Sequence, residues 1–413
     1  MRSFLTLDDL DAAGKTILLR ADLNVPMQDG RVTDKTRIIR LIPTLKELSK
    51  AGAKIVILSH FGRPRGRDPS MSLAPISDVL TAETGQHVAF APDCVGEIAQ
   101  AAVNRLKAGE LLLLENARFY GEEEANDKTF AQNIAKLGDA YVNDAFSCAH
   151  RAHATTQGIA AFLPSYAGRM MEAELDALER VLEKPRRPVA AIVGGAKIST
   201  KLDLLKNLVT KLDLLVLGGG MANTFLSAQG NPVGKSLCER EMKQQALQIM
   251  EIAAKHKCPI LLPVDAVIAT ELRRNARIEI RHVEAIREEE MMLDIGPETI
   301  EEIEKALSGM KTVLWNGPMG AFETPPFDQG TDAVAMAVAS LTQKNGLISI
   351  AGGGDTAAAL AHAGVEGYMT YLSTAGGAFL EWLEGKTLPG VKILQDKAAA
   401  QRLLTSQKTT AAV

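Results

Sequence analysis

The sequence predicts an α/β protein with two domains, each built on a parallel sheet with helices on both faces. Short β-branched or leucine-rich runs alternate with helix-like segments, which is the pattern of parallel α/β sheets. The 413 residues are too many for one ordinary core, so two domains are expected. The apolar runs end in two kinds of turn, and the kind changes near the middle of the chain.

Nine apolar runs are predicted to form strands, because each is short and bounded by turn residues. They cover residues 17–20, 55–59, 111–115, 140–142, 189–193, 213–217, 260–264, 312–315 and 347–350. Apolar residues at helical spacing predict helices between the strands, most clearly over 37–51, 239–257 and 298–308. A polar, alanine-rich tail follows residue 397.

The boundary between the domains is predicted just before residue 189, where new βα units begin. The segment MMEAELDALERVLEK (170–184) has the spacing of an amphipathic helix and is followed by two prolines. A helix that joins two domains is a plausible hinge element between them. We therefore expect an N-terminal domain over 1–170, a hinge helix and linker over 171–188, and a C-terminal domain over 189–389.

Composition excludes several classes of protein. Hydrophobic residues make up 46% and charged residues 23%, which are globular values, and the net charge of −4 argues against a nucleic-acid partner. Four widely spaced cysteines without a CxxC pair argue against a zinc site or a disulfide framework. The start MRSFLTLDDL lacks the apolar stretch of a signal peptide, and no uninterrupted apolar stretch reaches membrane-spanning length. We expect a cytoplasmic protein with no membrane partner.

In the first half of the chain, the strand ends contain arginine and histidine. The segments are ILLRADLNVP (17–26), IVILSHFGRP (55–64), LLLLENARF (111–119) and YVNDAFSCAHRAH (141–153). Guanidinium forks bind oxyanions bidentately, so these turns favour a small, highly charged anion. Structural alternatives stay open for single residues. Asp22 and Asn24 also suit an Asx turn, and Arg37 at a helix start also suits a solvated charge. His150 and His153 form a His-x-x-His pair, but they lack the supporting cysteine or carboxylate pattern of a closed metal site.

In the second half, the strand ends are rich in glycine. The segments are AAIVGGAKIST (190–200), LLVLGGGMANT (214–224), TVLWNGPMGAFE (312–323) and LISIAGGGDT (347–356). Glycine turns let backbone amides approach phosphates closely, which favours a nucleotide. Lys197 and Lys201 are predicted on one face of a helix that starts at the first of these turns. Asp355 is a natural Mg²⁺ ligand beside phosphates, or alternatively a helix N-cap.

Two motif matches are rejected. GNPVGKS (230–236) has three residues between its glycines where a P-loop has four, and the preceding TFLSAQ is predicted to be helical. AGGGDTA fits a dinucleotide fingerprint, but Asp355 would then repel the pyrophosphate. A chain that holds an anion site and a nucleotide site is most simply a phosphoryl-transfer enzyme.

Eight segments in order resemble the signatures of the phosphoglycerate kinase family, between about residues 4 and 394. They are RADLNVP, SHFGRP, NDAF..AHRAH, GGAK, LDIGPET, WNGPMGAFE, GGGDT and LEGKTLPGV. The resemblance implies two Rossmann-like domains whose parallel sheets face a central cleft, with the C-terminal segment 390–413 packed on the N-terminal domain. It also implies a hinge-bending monomer of glycolysis and gluconeogenesis. Such an enzyme converts 1,3-bisphosphoglycerate and ADP reversibly to 3-phosphoglycerate and ATP.

Matching the motifs residue by residue implies a set of functional residues. The phosphoglycerate would contact Asp22, Asn24, Arg37, His60, Phe61, Gly62, Arg63, Arg118, His150 and Arg151. The nucleotide would contact Gly195, Lys197, Lys201, Asn316, Glu323, Gly353, Gly354, Asp355 and Thr356. Catalytic roles would fall to Arg37, Lys201 and Gly354, and Asp355 would hold Mg²⁺. Departures from the family pattern, which affect fine contacts, are Ser147-Cys148, Thr200, Ala375 and Thr356.

Two other functions stay open on the residues. One is a non-catalytic anion-binding protein of the same fold, which would need the charged turns disrupted, and they are intact. The other is a different nucleotide-dependent kinase acting on a carboxylate or a hydroxyl. A hydroxyl acceptor would favour a nearby catalytic base, and the motifs identify none.

Overall fold

A computed structural model describes residues 2–411, which form two compact units. The first unit comprises Met1–Leu175 and Thr387–Val413, and the second comprises Asp176–Lys386. Residues 1, 412 and 413 of the predicted segments lie outside the described residues.

The first unit contains a six-stranded parallel sheet in the order β5-β6-β4-β1-β7-β8 and a small hairpin of β2 and β3. Its strands are β1 (Thr16–Arg20), β2 (Met27–Gln28), β3 (Arg31–Val32), β4 (Lys54–Leu58), β5 (Val88–Ala91), β6 (Leu111–Leu114), β7 (Ala140–Asn143) and β8 (Ser165–Ala167). Its helices are α1 (Thr36–Lys50), α2 (Ala74–Thr84), α3 (Gly96–Arg105), α4 (Gly121–Glu124), α5 (Lys128–Ala135) and α6 (Arg169–Leu178), the last of which ends in the second unit.

The middle residues of the central strands of this sheet are apolar because both faces are covered. Ile17 and Leu19 of β1 belong to one buried cluster, and Leu18 between them belongs to the other. Such an alternation between two cores requires helices on both faces, as in doubly wound parallel sheets.

The second unit contains a parallel sheet in the order β11-β10-β9-β15-β16-β17 and an antiparallel sheet in the order β13-β12-β14. Its strands are β9 (Val189–Val193), β10 (Leu214–Leu217), β11 (Ile260–Leu261), β12 (Asp265–Ala269), β13 (Glu279–His282), β14 (Met291–Ile295), β15 (Thr312–Asn316), β16 (Ile348–Gly352) and β17 (Tyr371–Ser373). Its helices are α7 (Leu202–Leu208), α8 (Gly219–Ala228), α9 (Lys243–Lys255), α10 (Pro297–Ser308), α11 (Gln329–Asn345), α12 (Gly354–His362) and α13 (Gly377–Leu383).

The C-terminal segment forms a long helix, α14 (Pro389–Ala411), that packs on the first unit. Leu394 and Ala398 are buried, and the Gly390 N–H donates to the Ala149 carbonyl oxygen at 2.8 Å. The segment that follows residue 397 is therefore helical, although its composition alone is that of a polar tail.

The predicted fold class is confirmed, since both parallel sheets are present with helices around them. All nine predicted strands occur, as do the helices predicted over 37–51, 239–257 and 298–308 and the helix over TFLSAQ within α8. The sequence prediction missed the antiparallel sheet and the edge strands β5, β8 and β17. Within residues 2–411, the structure has no helix that is long and apolar enough to cross a membrane.

Candidate functional site

All eight strand-end motifs lie at the carboxyl ends of parallel strands, as predicted. In the first unit they follow β6, β4, β1 and β7, which are adjacent in the sheet. In the second unit they follow β10, β9, β15 and β16, which are also adjacent. Ligands of open α/β sheets bind at this edge, so each unit presents one candidate site.

Asp22 is the centre of the site in the first unit. Its carboxylate Oδ2 lies 2.8 Å from Arg37 Nη1, and Arg37 Nη1 also donates to the Asn24 carbonyl oxygen at 2.8 Å. Ser147 Oγ donates to the same Oδ2. The Asn24 N–H donates to Asp22 Oδ1 at 3.2 Å, so the predicted Asx turn is present. The turn itself therefore places Asp22 within reach of Arg37.

Neighbouring turns are joined to Asp22 through Asn24. The Gly62 N–H donates to Asn24 Oδ1 at 3.0 Å, and Arg118 Nη1 donates to the Gly62 carbonyl oxygen at 2.8 Å. Gly62 has φ of +60°, a conformation that glycine adopts without strain. The turns after β1, β4 and β6 are thereby hydrogen-bonded to one another.

The Asn116 side chain is hydrogen-bonded to the backbone of the turn after β4. Its Oδ1 accepts the Phe61 N–H at 3.1 Å, while its Nδ2 donates to the carbonyl oxygens of Phe61 and Met71 at 2.8 and 2.9 Å. The sequence interpretation did not select Asn116. Its place in ENARF, directly after a buried strand, was the available signal.

His60 is a buried, neutral group in this site. Arg20 Nη2 lies 3.1 Å from His60 Nδ1, and a guanidinium has no acceptor, so Nδ1 accepts and Nε2 holds the proton. Burial lowers the pKa of His60 well below its usual value, and nearby positive charges lower it further. Those charges are on Arg20, Arg118, Arg151 and Arg37. Sequence interpretation did not select Arg20, which is itself fully buried.

The remaining basic residues are more open to solvent. Arg63 is exposed and makes no hydrogen bond or ion pair to the residues that the structure describes. Arg151 Nε donates to His150 Nε2 at 3.2 Å, and both side chains are half-buried. The four guanidinium groups that act on His60 outnumber the nearby carboxylates of Asp22, Glu123 and Glu124. The local field therefore favours an anion.

The second unit brings two glycine turns into backbone contact. A Cβ on Gly194 would lie 1.8 Å from the Pro318 carbonyl oxygen, and a Cβ on Gly317 would lie 2.3 Å from that of Gly194. Any side chain at either position would force the turns after β9 and β15 apart. Only glycine lets them meet.

Lys201 lies over this contact. Its Nζ donates to the Gly194 carbonyl oxygen at 2.8 Å and to the Asn316 carbonyl oxygen at 3.2 Å. Burial lowers the pKa of Lys201 to about 8, while the negative charge of Asp355 acts in the opposite direction. The ammonium group is positioned for an additional anionic partner, since two neutral carbonyls satisfy only part of its charge.

The turn after β16 forms the N-terminus of α12. Gly353, with φ of +102°, is the N-cap, and the amides of Gly354, Asp355 and Thr356 lie in the first turn, where helix amides lack intrahelical acceptors. Thr356 Oγ1 donates to the Gly352 carbonyl oxygen at 2.8 Å and accepts the Gly317 N–H at 2.7 Å. A helix N-terminus of this kind favours phosphate.

Asn316 connects this turn to the strand beside it. Its Nδ2 donates to the Gly352 carbonyl oxygen at 2.7 Å. Its Oδ1 is buried and accepts no hydrogen bond from the described residues. An unsatisfied buried acceptor is costly, so this oxygen is available for a ligand donor.

Two predicted details are wrong. Lys197 and Lys201 do not share a helix face: Lys197 has extended backbone before a single 3₁₀ turn, and Lys201 precedes α7. Asp355 is not the N-cap of α12, because Gly353 occupies that position and Asp355 is exposed in the first turn.

The remaining candidates are exposed or belong to other contacts. Gly195 has φ of +122°, and Lys197 and Glu323 are exposed. The rejected P-loop segment is held against β14, since Ser236 Oγ accepts the Met292 N–H at 2.8 Å.

One hydrogen bond near Lys197 was not indicated by the sequence. Ser199 Oγ donates to Glu239 Oε1 at 2.6 Å.

The residues present fit Mg²⁺ delivered with phosphates. The Asp355 carboxylate is exposed beside the α12 N-terminus and forms no ion pair within the described residues. The described groups with three ligand-type side chains do not include Asp355. One carboxylate suits Mg²⁺, which takes few protein ligands together with phosphate oxygens.

A parallel-sheet fold with an arginine-rich site on one unit and a glycine-rich site with a lysine on the other defines the class of nucleotide-dependent kinases. The sequence model of the family described as phosphoglycerate kinase matches residues 7–386. The chain belongs to the phosphoglycerate kinase family. It is therefore a kinase, and a role in glycolysis follows from that membership.

Relatives match over nearly their whole length. The phosphoglycerate kinase of Rhodospirillum centenum is 62% identical over 393 residues, which are 95% of this chain and 99% of the relative. That of Xanthobacter autotrophicus is 57% identical over 395 residues, covering 96% and 100%. Among solved structures, phosphoglycerate kinase from Coxiella burnetii matches with a TM-score of 0.90 at 42% identity, covering 96% of this chain and 100% of that chain. The enzyme from Pyrococcus horikoshii OT3 has a TM-score of 0.79 at 31% identity, covering 96% and 99%.

Proposed function

We propose that the first unit binds the phosphoglycerate, that the second binds the magnesium nucleotide, and that the chain transfers a phosphoryl group between them. The reaction is 1,3-bisphosphoglycerate and ADP to 3-phosphoglycerate and ATP, in either direction. The observation that supports this division most directly is the set of guanidinium groups around neutral His60 in the first unit. Such a site suits a small anion with several negative charges.

In the first unit, each side chain is assigned a role from its position at the strand ends and from the contacts it makes. Arg63 and Arg118 bind the anion's oxygens, as does Arg151 beside His150. His60 donates from Nε2 without adding charge. Asp22 and Asn24 orient Arg37, while Phe61 and Gly62 present the backbone of their turn.

In the second unit, the phosphates lie against the turns after β9 and β16. Gly195 gives the backbone close approach, Lys197 and Lys201 supply positive charge, and the α12 amides of Gly354 and Thr356 donate from the first turn. Lys201 is the better-placed cation, because it already lies over the Gly194 turn. The rest of the pocket consists of Asn316, Glu323, Gly353 and Asp355.

The chemistry needs charge compensation and not a base. The acceptor is a carboxylate, which is ionised at neutral pH and attacks without losing a proton. Arg37 and Lys201 neutralise the oxygens of the transferring group, and Gly354 donates its N–H to them. An arginine in such a role supplies on the order of 10³–10⁵ in rate. Mg²⁺ held by Asp355 supplies further charge neutralisation when bound.

Direct transfer also requires that donor and acceptor come together during turnover. We therefore propose a hinge-bending monomer that excludes water from the acyl phosphate. A cytoplasmic location belongs to the same proposal.

A coupled assay tests the function. ATP, Mg²⁺ and 3-phosphoglycerate are supplied, and 1,3-bisphosphoglycerate is followed through glyceraldehyde-3-phosphate dehydrogenase as loss of NADH. Turnover that requires all three components is expected. A folded protein that binds Mg-ADP but shows no turnover would favour another acceptor or a binding role.

A further inference from the structure

Ser147 connects two strand-end turns in the first unit. It lies in the 3₁₀ turn Phe146–Cys148 after β7, and its Oγ donates to Oδ2 of Asp22 after β1. The two strands are neighbours, with Arg20 paired to Asn143 at their ends. A hydroxyl on one strand end therefore holds a carboxylate on the next.

The Asp22 carboxylate is held from three sides. Oδ2 accepts from Ser147 and lies 2.8 Å from Arg37 Nη1, while Oδ1 accepts the Asn24 N–H at 3.2 Å. Its side chain is 5% exposed, so protein groups and not water determine its orientation. Without the hydroxyl, the carboxylate keeps the Arg37 and Asn24 contacts but loses the one contact from another strand end.

Arg37 depends on that orientation. Its side chain is 34% exposed and rotamer-rich, and its guanidinium is held by Asp22 and the Asn24 carbonyl oxygen. A change in the plane of the carboxylate therefore changes where the guanidinium points. The chain of contacts runs from Ser147 through Asp22 to Arg37.

We infer that Ser147 is a positioning residue for the phosphoglycerate site, acting through the Asp22 carboxylate on Arg37. The inference rests on the proposed function of that site. Direct contact between Ser147 and the anion is disfavoured, because its only hydroxyl proton is committed to Asp22 and its lone pairs repel an anion. Its role is to fix a binding group in place before the ligand arrives, which lowers the ordering cost of binding.

The test compares Ser147→Ala with Ser147→Thr, which retains a hydroxyl. The matched control is Ser70→Ala, because Ser70 Oγ donates to Asp68 Oδ1 at 2.7 Å in an exposed turn of the same unit. For each variant, KM for 3-phosphoglycerate, KM for ATP, kcat and Tm are measured. Ser147→Ala should raise KM for 3-phosphoglycerate on the order of threefold to tenfold, the range for one lost hydrogen bond. KM for ATP should stay unchanged, and Tm should fall by no more than about 2–4 °C, since one hydrogen bond is lost. Ser147→Thr should restore the wild-type values, and Ser70→Ala should match wild type.

Each other outcome overturns the inference. An unchanged KM for 3-phosphoglycerate in Ser147→Ala would overturn it alone and leave the kinase function intact. Equal changes in both KM values with a lower Tm would show a merely structural serine. A wild-type chain without turnover of 3-phosphoglycerate would overturn the proposed function and this inference with it.

Discussion

His60 offers a hydrogen-bond donor to the proposed anion without adding charge. A protonated histidine would increase the attraction, but four guanidinium groups already act on this position and burial disfavours a further cation. The contact with Arg20 leaves only one tautomer that can donate into the site. Neutral imidazole is therefore the form that the surroundings select.

We predict that His60 stays neutral, with the proton on Nε2, at pH values where an ordinary histidine is already half-protonated, near 6.5. Burial and the four nearby guanidinium groups lower the pKa of His60 well below its usual value, so its second proton should be taken up only at lower pH. Nitrogen-15 NMR of the histidine rings distinguishes the protonated from the bare nitrogen. A short histidine-containing peptide measured under the same conditions is the control. A His60 ring that gains its second proton at the same pH as the peptide, or at a higher pH, would contradict the prediction.

Lys201 should give the proposed nucleotide site a pH dependence. A pKa of about 8 means that the ammonium form dominates at pH 7 and the neutral amine at pH 9. Since only the ammonium attracts phosphate, ADP affinity should fall as pH rises through about 8, by at most about tenfold per pH unit. Calorimetric titration with ADP at a fixed Mg²⁺ concentration and a series of pH values measures this affinity.

The Lys201→Arg variant is the control for this dependence. A guanidinium stays protonated across the range, so the variant should bind ADP with a lower but nearly pH-independent affinity. Equal pH dependence in the two proteins would place the titrating group elsewhere.

At the scale of elements, the sequence predicted the buried strands well and the marginal ones poorly. A run such as LLLL in β6 is apolar because both faces of the strand are covered. In contrast, β13 reads EIRH and is mostly exposed, and edge strand β8 is three residues long, so neither differs from a loop by composition. Hydrogen bonds across strand ends, such as those of Ser147 and Asn116, are likewise absent from any local pattern.

The C-terminal helix α14 should be required for the stability of the first unit. Leu394 is fully buried, and replacing it by alanine leaves a cavity, which should cost about 2–5 kcal/mol in the free energy of unfolding. Leu403 on the same helix is 63% exposed, and Leu403→Ala should change stability by no more than about 0.5 kcal/mol. Native-state hydrogen exchange of the amides in β1, β4 and β7 measures the change in stability of the first unit in each variant. Equal protection in the two variants would show that α14 contributes little to this core.

At the scale of the whole molecule, the chain forms two units with separate cores, and we propose anion binding for the first unit and nucleotide binding for the second. The sequence indicated this division, because the basic turns come first and the glycine turns follow. It misplaced Lys197 and Lys201 on a common helix, because four-residue spacing alone cannot reveal that the chain is extended at Lys197 and that α7 begins only at Leu202. Arg37 and Lys201 make their contacts in different units, so substitutions at the two residues should separate effects on binding from effects on rate.

Arg37→Ala and Lys201→Ala should therefore differ in binding and agree in rate. Arg37→Ala should weaken 3-phosphoglycerate binding and leave ADP affinity near wild type, because its contacts are to Asp22 and Asn24. Lys201→Ala should weaken ADP binding and leave 3-phosphoglycerate affinity unchanged, because its contacts are in the glycine turns. Both should lower kcat by about 10³-fold or more, since each loses charge compensation for the transferring group. Binary titrations and the coupled assay give the values. Near-normal kcat in Arg37→Ala would remove Arg37 from the transfer step, and unchanged ADP affinity in Lys201→Ala would remove Lys201 from the nucleotide site.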